Sequence, residues 1–178
     1  MQKVPFLSLI VFLLISLSSF QHNAPKAKLE WLTLQEAEQK LKQEPRPILV
    51  DLYTDWCGWC KVMDKKTYTN QQLIKYLNEK FYVVKLNAES KAEITWKGKT
   101  YRFNPAYKTH EIALAFTKGE LAYPTTVIIP STDDNEPQAI AGMLEVKEME
   151  MITKYFGENN YGKVSFDAYA KKFRPSWR

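Results

Sequence analysis

Cys57 and Cys60 are the two cysteines of a 178-residue chain, and they stand in the run Asp55-Trp56-Cys57-Gly58-Trp59-Cys60-Lys61. A Cys-x-x-Cys pair can be half of a zinc site, a haem attachment, a structural disulfide or a redox couple. Zinc needs four ligands. Beyond the cysteines the chain offers His22 and His110, which fall in a polar tether and in an expected inserted helix. Haem attachment needs a histidine directly after the second cysteine, and Lys61 stands there. A disulfide across so short a loop constrains little chain entropy and would be a weak staple. Redox chemistry is the strongest of the four readings. Position favours it too: Asp55 to Gly58 have turn and cap chemistry, which puts Cys57 at a helix start. There the unpaired N–H groups and the positive end of the helix dipole stabilise a thiolate.

The elements around this pair follow from periodicity. Ile48 to Tyr53 is apolar apart from Asp51 and is expected to be a buried strand. The cysteine helix should then run to about Lys66. Asn70 is a cap for a second helix carrying Leu73, Ile74 and Leu77, and Phe81 to Asn87 is the next strand. Strand, helix and strand make a βαβ unit with parallel neighbours and a right-handed crossover. Upstream, Thr33 and Glu36 have the form of a capping box, opening a helix over 34–43 that Pro45 and Pro47 end. Downstream, Ile94-Thr95-Trp96 and Tyr101-Arg102-Phe103 predict a small hairpin about Lys97-Gly98-Lys99. A helix is expected over 107–117, with Gly119 as its stop. Tyr123 to Ile129 is a strand entered through Pro124, and the polar run Pro130 to Pro137 turns it into an antiparallel edge strand, Gln138 to Ala141, broken by Gly142. Helical spacing returns at Val146, Met149, Ile152 and Phe156, and after a turn over 157–162 at Phe166, Tyr169, Ala170 and Phe173.

Composition bounds the remaining choices. With 45% apolar and 25% charged residues the chain suits one globular domain with a real core. The net charge is +5, but the lysines are scattered among acids without a basic block, so no nucleic-acid partner is expected. Residues 1–20 differ from the rest: Lys3, then Val4 to Phe20 without a charge. That is a targeting segment, either a cleaved signal peptide or an uncleaved N-terminal anchor, and both place the domain outside the cytoplasm. Residues 21–28 are expected to be a flexible tether and 29–178 the folded domain.

The whole pattern resembles the thioredoxin superfamily over roughly residues 30–156. Val50-Asp51-Leu52-Tyr53 before the cysteines, Trp56, Lys61, Val84-Lys85-Leu86-Asn87, Tyr123-Pro124-Thr125 and Gly142 all fall in the family's order. Asp55 to Lys61, followed by Met63-Asp64 and Thr67-Tyr68, looks most like exported bacterial thioredoxin-like domains, of the kind fused to membrane electron carriers in the periplasm. The resemblance implies an α/β fold, a central mixed β-sheet flanked by helices, with a hairpin and helix inserted before the strand of the cis proline.

It also implies roles. Cys57, exposed at the helix start, would attack a substrate disulfide, and Cys60, one turn deeper, would resolve the mixed disulfide. Asp51 would be a buried proton acceptor with a raised pKa, and Lys85 would moderate its charge. Pro124 would follow a cis peptide bond and leave the backbone of Tyr123 open to a substrate strand. Trp56, Gly58 and Trp59 would border the substrate, one tryptophan packed below the site and the other exposed. Neither metal nor cofactor is implied. The implied partners are protein disulfides and an upstream thiol-disulfide electron donor, a membrane reductase among the candidates, with membrane contact only through an uncleaved anchor.

This sequence departs from thioredoxin proper in having Trp59 where that protein has proline, in the insertion at about 88–106, and in the tail after Gly157. Trp96, Tyr101 and Phe103 of the insertion would form either a satellite core or a partner surface. The expected function is an exported thiol-disulfide oxidoreductase, reducing or exchanging disulfides. The alternatives are an oxidase or isomerase of the same fold, and a non-catalytic binding module or chaperone.

Overall fold

The computed structural model describes residues 26–131 and 136–178. The expected signal or anchor over 1–20 and the first part of the tether lie outside the described residues. The elements are β1 (Trp31–Leu32), α1 (Leu34–Gln43), β2 (Ile48–Tyr53), α2 (Gly58–Lys66), α3 (Gln71–Lys80), β3 (Tyr82–Asn87), β4 (Ile94–Trp96), β5 (Lys99–Tyr101), β6 (Phe103–Asn104), β7 (Thr109–His110), α4 (Glu111–Thr117), β8 (Thr125–Ile129), β9 (Gln138–Ala141), α5 (Val146–Gly157) and α6 (Phe166–Lys172). Five strands form one mixed sheet in the order β1-β3-β2-β8-β9. β1, β3 and β2 run parallel, while β8 is antiparallel to β2 and β9 to β8.

Strand β2 lies at the centre of that sheet, and its alternation sorts the core into two layers. Ile48, Val50 and Leu52 point to the face covered by Leu34 and Ala37 of α1 and Ile112 and Phe116 of α4. Leu49 points to the other, packed with Met63 of α2, Leu73 and Leu77 of α3, and Met149 and Ile152 of α5. Asp51, two residues beyond Leu49, shares this second face. Each fully buried Leu or Ile contributes about 1.5–3 kcal/mol relative to exposure, so both faces of β2 are fixed by many such terms at once.

Local signals set the helix starts. The Thr33 side chain accepts the Glu36 N–H while Glu36 accepts the Thr33 N–H, closing the expected capping box. Asn70 accepts the N–H groups of Gln72 and Leu73.

Four expectations are corrected. The hairpin turns on Lys97 and Gly98, at φ of 49° and 75°, so its second strand is Lys99–Tyr101. Phe103 leaves the hairpin and pairs instead with His110. The helix expected from 107 begins at Glu111, because Thr109 and His110 are drawn into β7 and His110 caps the helix, its Nδ1 accepting the Ile112 N–H. Residues 26–28 of the expected tether lie along α3, where Asn78 donates to the Lys28 carbonyl and Gln71 to that of Ala27. Trp96 of the insertion is buried in the first core layer, edge-on to Phe116, with Tyr101 packed against the same layer, so this part of the insertion extends the core. Among the described residues no helix is long and apolar enough to cross a membrane.

Candidate active site

Cys57 is the N-cap of α2, and Cys57 and Cys60 are joined in a disulfide with Cα atoms 5.3 Å apart. The preceding turn is closed by the Cys57 N–H, which donates to the Thr54 carbonyl at 3.2 Å. The Cys60 N–H donates to Cys57 Sγ at 3.0 Å, so one of the orphan donors of the helix start is aimed at that sulfur. A thiolate formed at Cys57 would accept the same bond and meet the same dipole. Cys57 was expected to be exposed; it is 3% exposed and Cys60 4%. The pair is shielded by what surrounds it.

The flanking tryptophans also differ from expectation. Both are exposed, Trp56 at 66% and Trp59 at 65%, and neither packs below the site. Trp56 is nonetheless oriented: its Nε1–H donates to Glu89 at 3.0 Å and its ring stands edge-on to Tyr123 at 5.9 Å. The Tyr123 hydroxyl lies 3.2 Å from Thr109 Oγ1. The Tyr123–Pro124 peptide is cis. Gly142, at φ 100°, donates its N–H to the Pro124 carbonyl at 2.8 Å, where a side chain would be strained. Gly58 opens α2 on the exposed side of the disulfide.

Behind the disulfide, register places the charges. Asp51 of β2 is paired with Lys85 of β3, so the two side chains leave the sheet on the face that carries α2. Asp51 is 2% exposed, and Lys85 Nζ reaches its Oδ2 at 3.1 Å. Lys85 also binds Asp64, one turn after Cys60 on α2, and it lies over the rings of Trp31, Tyr53 and Tyr68 at 4.9, 5.2 and 5.9 Å. Burial pushes the Asp51 carboxyl up to about 6, against the pull of Lys85. Burial alone would lower Lys85, but the charges and hydrogen bonds of Asp51 and Asp64 outweigh it and hold the ammonium above its ordinary value. Tyr68 is buried beside this pair, and burial first, then the Asp51 charge, raise its phenol well above the ordinary value.

The structure therefore gathers Cys57, Cys60, Trp56, Gly58 and Trp59 at the head of α2, with Asp51 and Lys85 below and Tyr123-Pro124 alongside Trp56. Three residues of this constellation were missed in the sequence. Asp64 could have been found from its i, i+4 relation to Cys60. Glu89 and Thr109 carry no local signal, since their partners lie 33 and 14 residues away. Among the described residues no group of three or more His, Cys, Asp or Glu could hold a metal ion.

Comparison with known proteins agrees with this geometry. Residues 12–147 match the family model Thioredox_DsbH, described as Protein of unknown function, DUF255. A solved DsbH oxidoreductase is similar in fold, with a TM-score of 0.55 at 17% identity, covering 79% of this chain and 93% of that one. Protein disulfide-isomerase C17H9.14c of Schizosaccharomyces pombe is 25% identical over 76% of this chain and 35% of its own length. The thiol:disulfide interchange protein DsbD of Haemophilus ducreyi is 39% identical over 32% of this chain and 10% of its own. The chain spans between 8% and 35% of the length of the curated relatives it matches.

Proposed function

Because this chain belongs to the Thioredox_DsbH family of the thioredoxin superfamily, we propose that it is an exported thiol-disulfide oxidoreductase that reduces protein disulfides through Cys57 and Cys60. The observation that carries the reading is the disulfide at the head of α2, with the Cys60 N–H directed at Cys57 Sγ and the Asp51–Lys85 pair on the same face of the sheet. In the reduced protein, the Cys57 thiolate attacks one sulfur of a substrate disulfide. That S–S bond breaks, one substrate sulfur leaves as a thiolate, and the other is held on Cys57. Asp51 accepts the proton of Cys60, whose sulfur then attacks Cys57 Sγ. The second substrate sulfur leaves, and the Cys57–Cys60 disulfide closes. Two electrons have passed to the substrate, and a thiol donor returns them in the next cycle. A carboxylate with a pKa of about 6 is suited to that proton transfer near neutral pH.

Export, to a periplasmic setting, is supported by the charge-free run Val4 to Phe20, and a thiol-disulfide partner that returns the electrons by the similarity to a thiol:disulfide interchange protein. Trp56 and Trp59 offer exposed aromatic surface around the reactive sulfur, with the half-buried Tyr123 beside Trp56, which suits a protein substrate. The test is insulin reduction with dithiothreitol, together with trapping by Cys60→Ala. The expected results are activity abolished by Cys57→Ser and substrate proteins held on Cys57 of the trapping variant. Undiminished reduction by Cys57→Ser would overturn the reading.

A further inference from the structure

Next to the disulfide the surface opens into a groove of about 420 Å³ between α2 and the start of α5. Trp59 and Val62 line it from α2, Met143 and Val146 from the other side, and Trp177 from the C-terminal segment, with Lys66 also on its lining. Trp177 is a fixed wall: its N–H donates to Glu150 at 2.9 Å, its ring packs on Tyr76 at 5.3 Å, and Lys154 lies 5.1 Å from its centroid. Lys66 is exposed and forms no ion pair among the described residues. Lys147, by contrast, is paired with Glu145 at 3.2 Å.

We propose that this groove seats an extended segment of the disulfide-bearing partner protein, holding one large aliphatic or aromatic side chain among Val62, Met143, Val146 and Trp177 and an acidic residue against Lys66. The inference rests on Cys57 being the attacking thiol. Trp59 is at once one of the two residues between the cysteines and a wall of the groove. A chain bonded to Cys57 therefore reaches the groove within a few residues, each spanning at most about 3.3–3.6 Å. The lining sets the chemistry of the occupant: its apolar walls exclude a charged side chain, and since Glu145 and Lys147 on the same lining neutralise each other, Lys66 is the cation left, among the described residues, to select an acid. A groove of this size fills with a short segment, whereas a stable subunit contact buries about 800 Å² per partner. The wall at Trp177 belongs to the tail that lies outside the shared family pattern, so the preference would be a property of this chain.

The test uses two ten-residue peptides, each joined to glutathione through a single cysteine, one with Leu and Asp flanking the cysteine and the other with Ala and Lys. The reduced protein is expected to release glutathione from the Leu/Asp peptide about tenfold faster, a difference of the size one well-placed contact supplies. The ratio of the two rates should fall to near one in Trp177→Ala. It should fall below one in Lys66→Glu, a surface change that spares the core should Trp177→Ala fold poorly. Equal rates in the unaltered protein, or a ratio preserved in both variants, would overturn the groove and leave the redox reading standing. No reaction with either peptide would overturn the redox reading itself. A dimer in sedimentation that Lys66→Glu dissolves would assign the groove to a second copy of the chain and overturn the proposal.

Discussion

Asp51 carries its charge where the fold gives it little water, and that placement sets stability against chemistry. Its carboxyl titrates at about 6 in the folded protein against an ordinary 3.8. The native state therefore binds more protons than the unfolded chain between those values, and stability falls as pH rises through them. Above pH 6 the full cost of burying the anion is present, roughly 2–3 kcal/mol by linkage. Asn at this position keeps the shape and removes the charge, and Lys85 keeps Asp64 as a partner. Asp51→Asn is thus expected to stabilise the protein by roughly that amount at pH 7 and hardly at all at pH 4, measured by urea denaturation. The same variant should slow disulfide reduction at pH 7 by on the order of 10²-fold, the usual contribution of a positioned base. A stability gain equal at both pH values would show that the charge is not its source.

At the scale of elements, what the sequence discloses depends on how far away the deciding contacts lie. β2, α1 and α3 are legible because alternation, the Thr33–Glu36 box and the Asn70 cap act within a few residues. Asp51 and Lys85 are legible as a pair once their strands are adjacent and parallel, since register then puts both on one face. β1, two residues long, offers no periodicity. The burial of Cys57 and the exposure of both tryptophans depend on neighbours from several elements, and no spacing records that. The start of α4 is hidden in the same way. Ile112, Ala115 and Phe116 give a helical spacing that extends backward without conflict, but His110 N–H donates to the Ala88 carbonyl at 2.6 Å and holds that residue extended. With Nδ1 accepting from Ile112, Nε2 carries the hydrogen and donates to the Ala92 carbonyl at 3.0 Å, the whole residue being fully buried. His110 thus ties the insertion to the helix behind it. His110→Ala strips both ring bonds and leaves a void, at an expected cost of about 2–4 kcal/mol. His110→Asn, which can still cap, should recover part of it. Denaturant midpoints test the cost and hydrogen exchange at the Ile112 amide tests its location. A loss below about 0.5 kcal/mol would place His110 among ordinary surface positions in effect.

Across the whole molecule, the insertion and the tail enlarge opposite layers of the core. The insertion adds Ile94 and Trp96 to the layer under α1 and α4, while the tail adds Tyr161, Tyr169 and Trp177 to the layer under α2, α3 and α5. A buried acid pins the end of the tail, beside Asn70 and Gln72 of the α3 start, which bond the Arg178 backbone. Glu150 of α5, fully buried, accepts from Lys154 Nζ at 2.7 Å, the Ser176 N–H and hydroxyl at 2.8 and 2.6 Å, and the Trp177 N–H at 2.9 Å. Burial would raise its carboxyl, but the bonds from Lys154, Ser176 and Trp177 prevail and hold it below its ordinary value. A depressed carboxylate contributes stability above its unfolded pKa and loses it as pH falls through the folded one. Glu150→Ala leaves two backbone donors and an ammonium without their acceptor, so it should cost about 2–4 kcal/mol at pH 7. That difference should shrink as pH drops below about 4.5, the ordinary Glu range. Because the bonds converge on the last residues of the chain, the loss should begin as detachment of the tail. Hydrogen exchange at Ser176 and Trp177 should accelerate in the variant at pH 7, and in the unaltered protein on acidification, before the central sheet loses protection. Simultaneous loss of protection in the tail and in β2 would instead make Glu150 part of the global folding unit, and the tail inseparable from it.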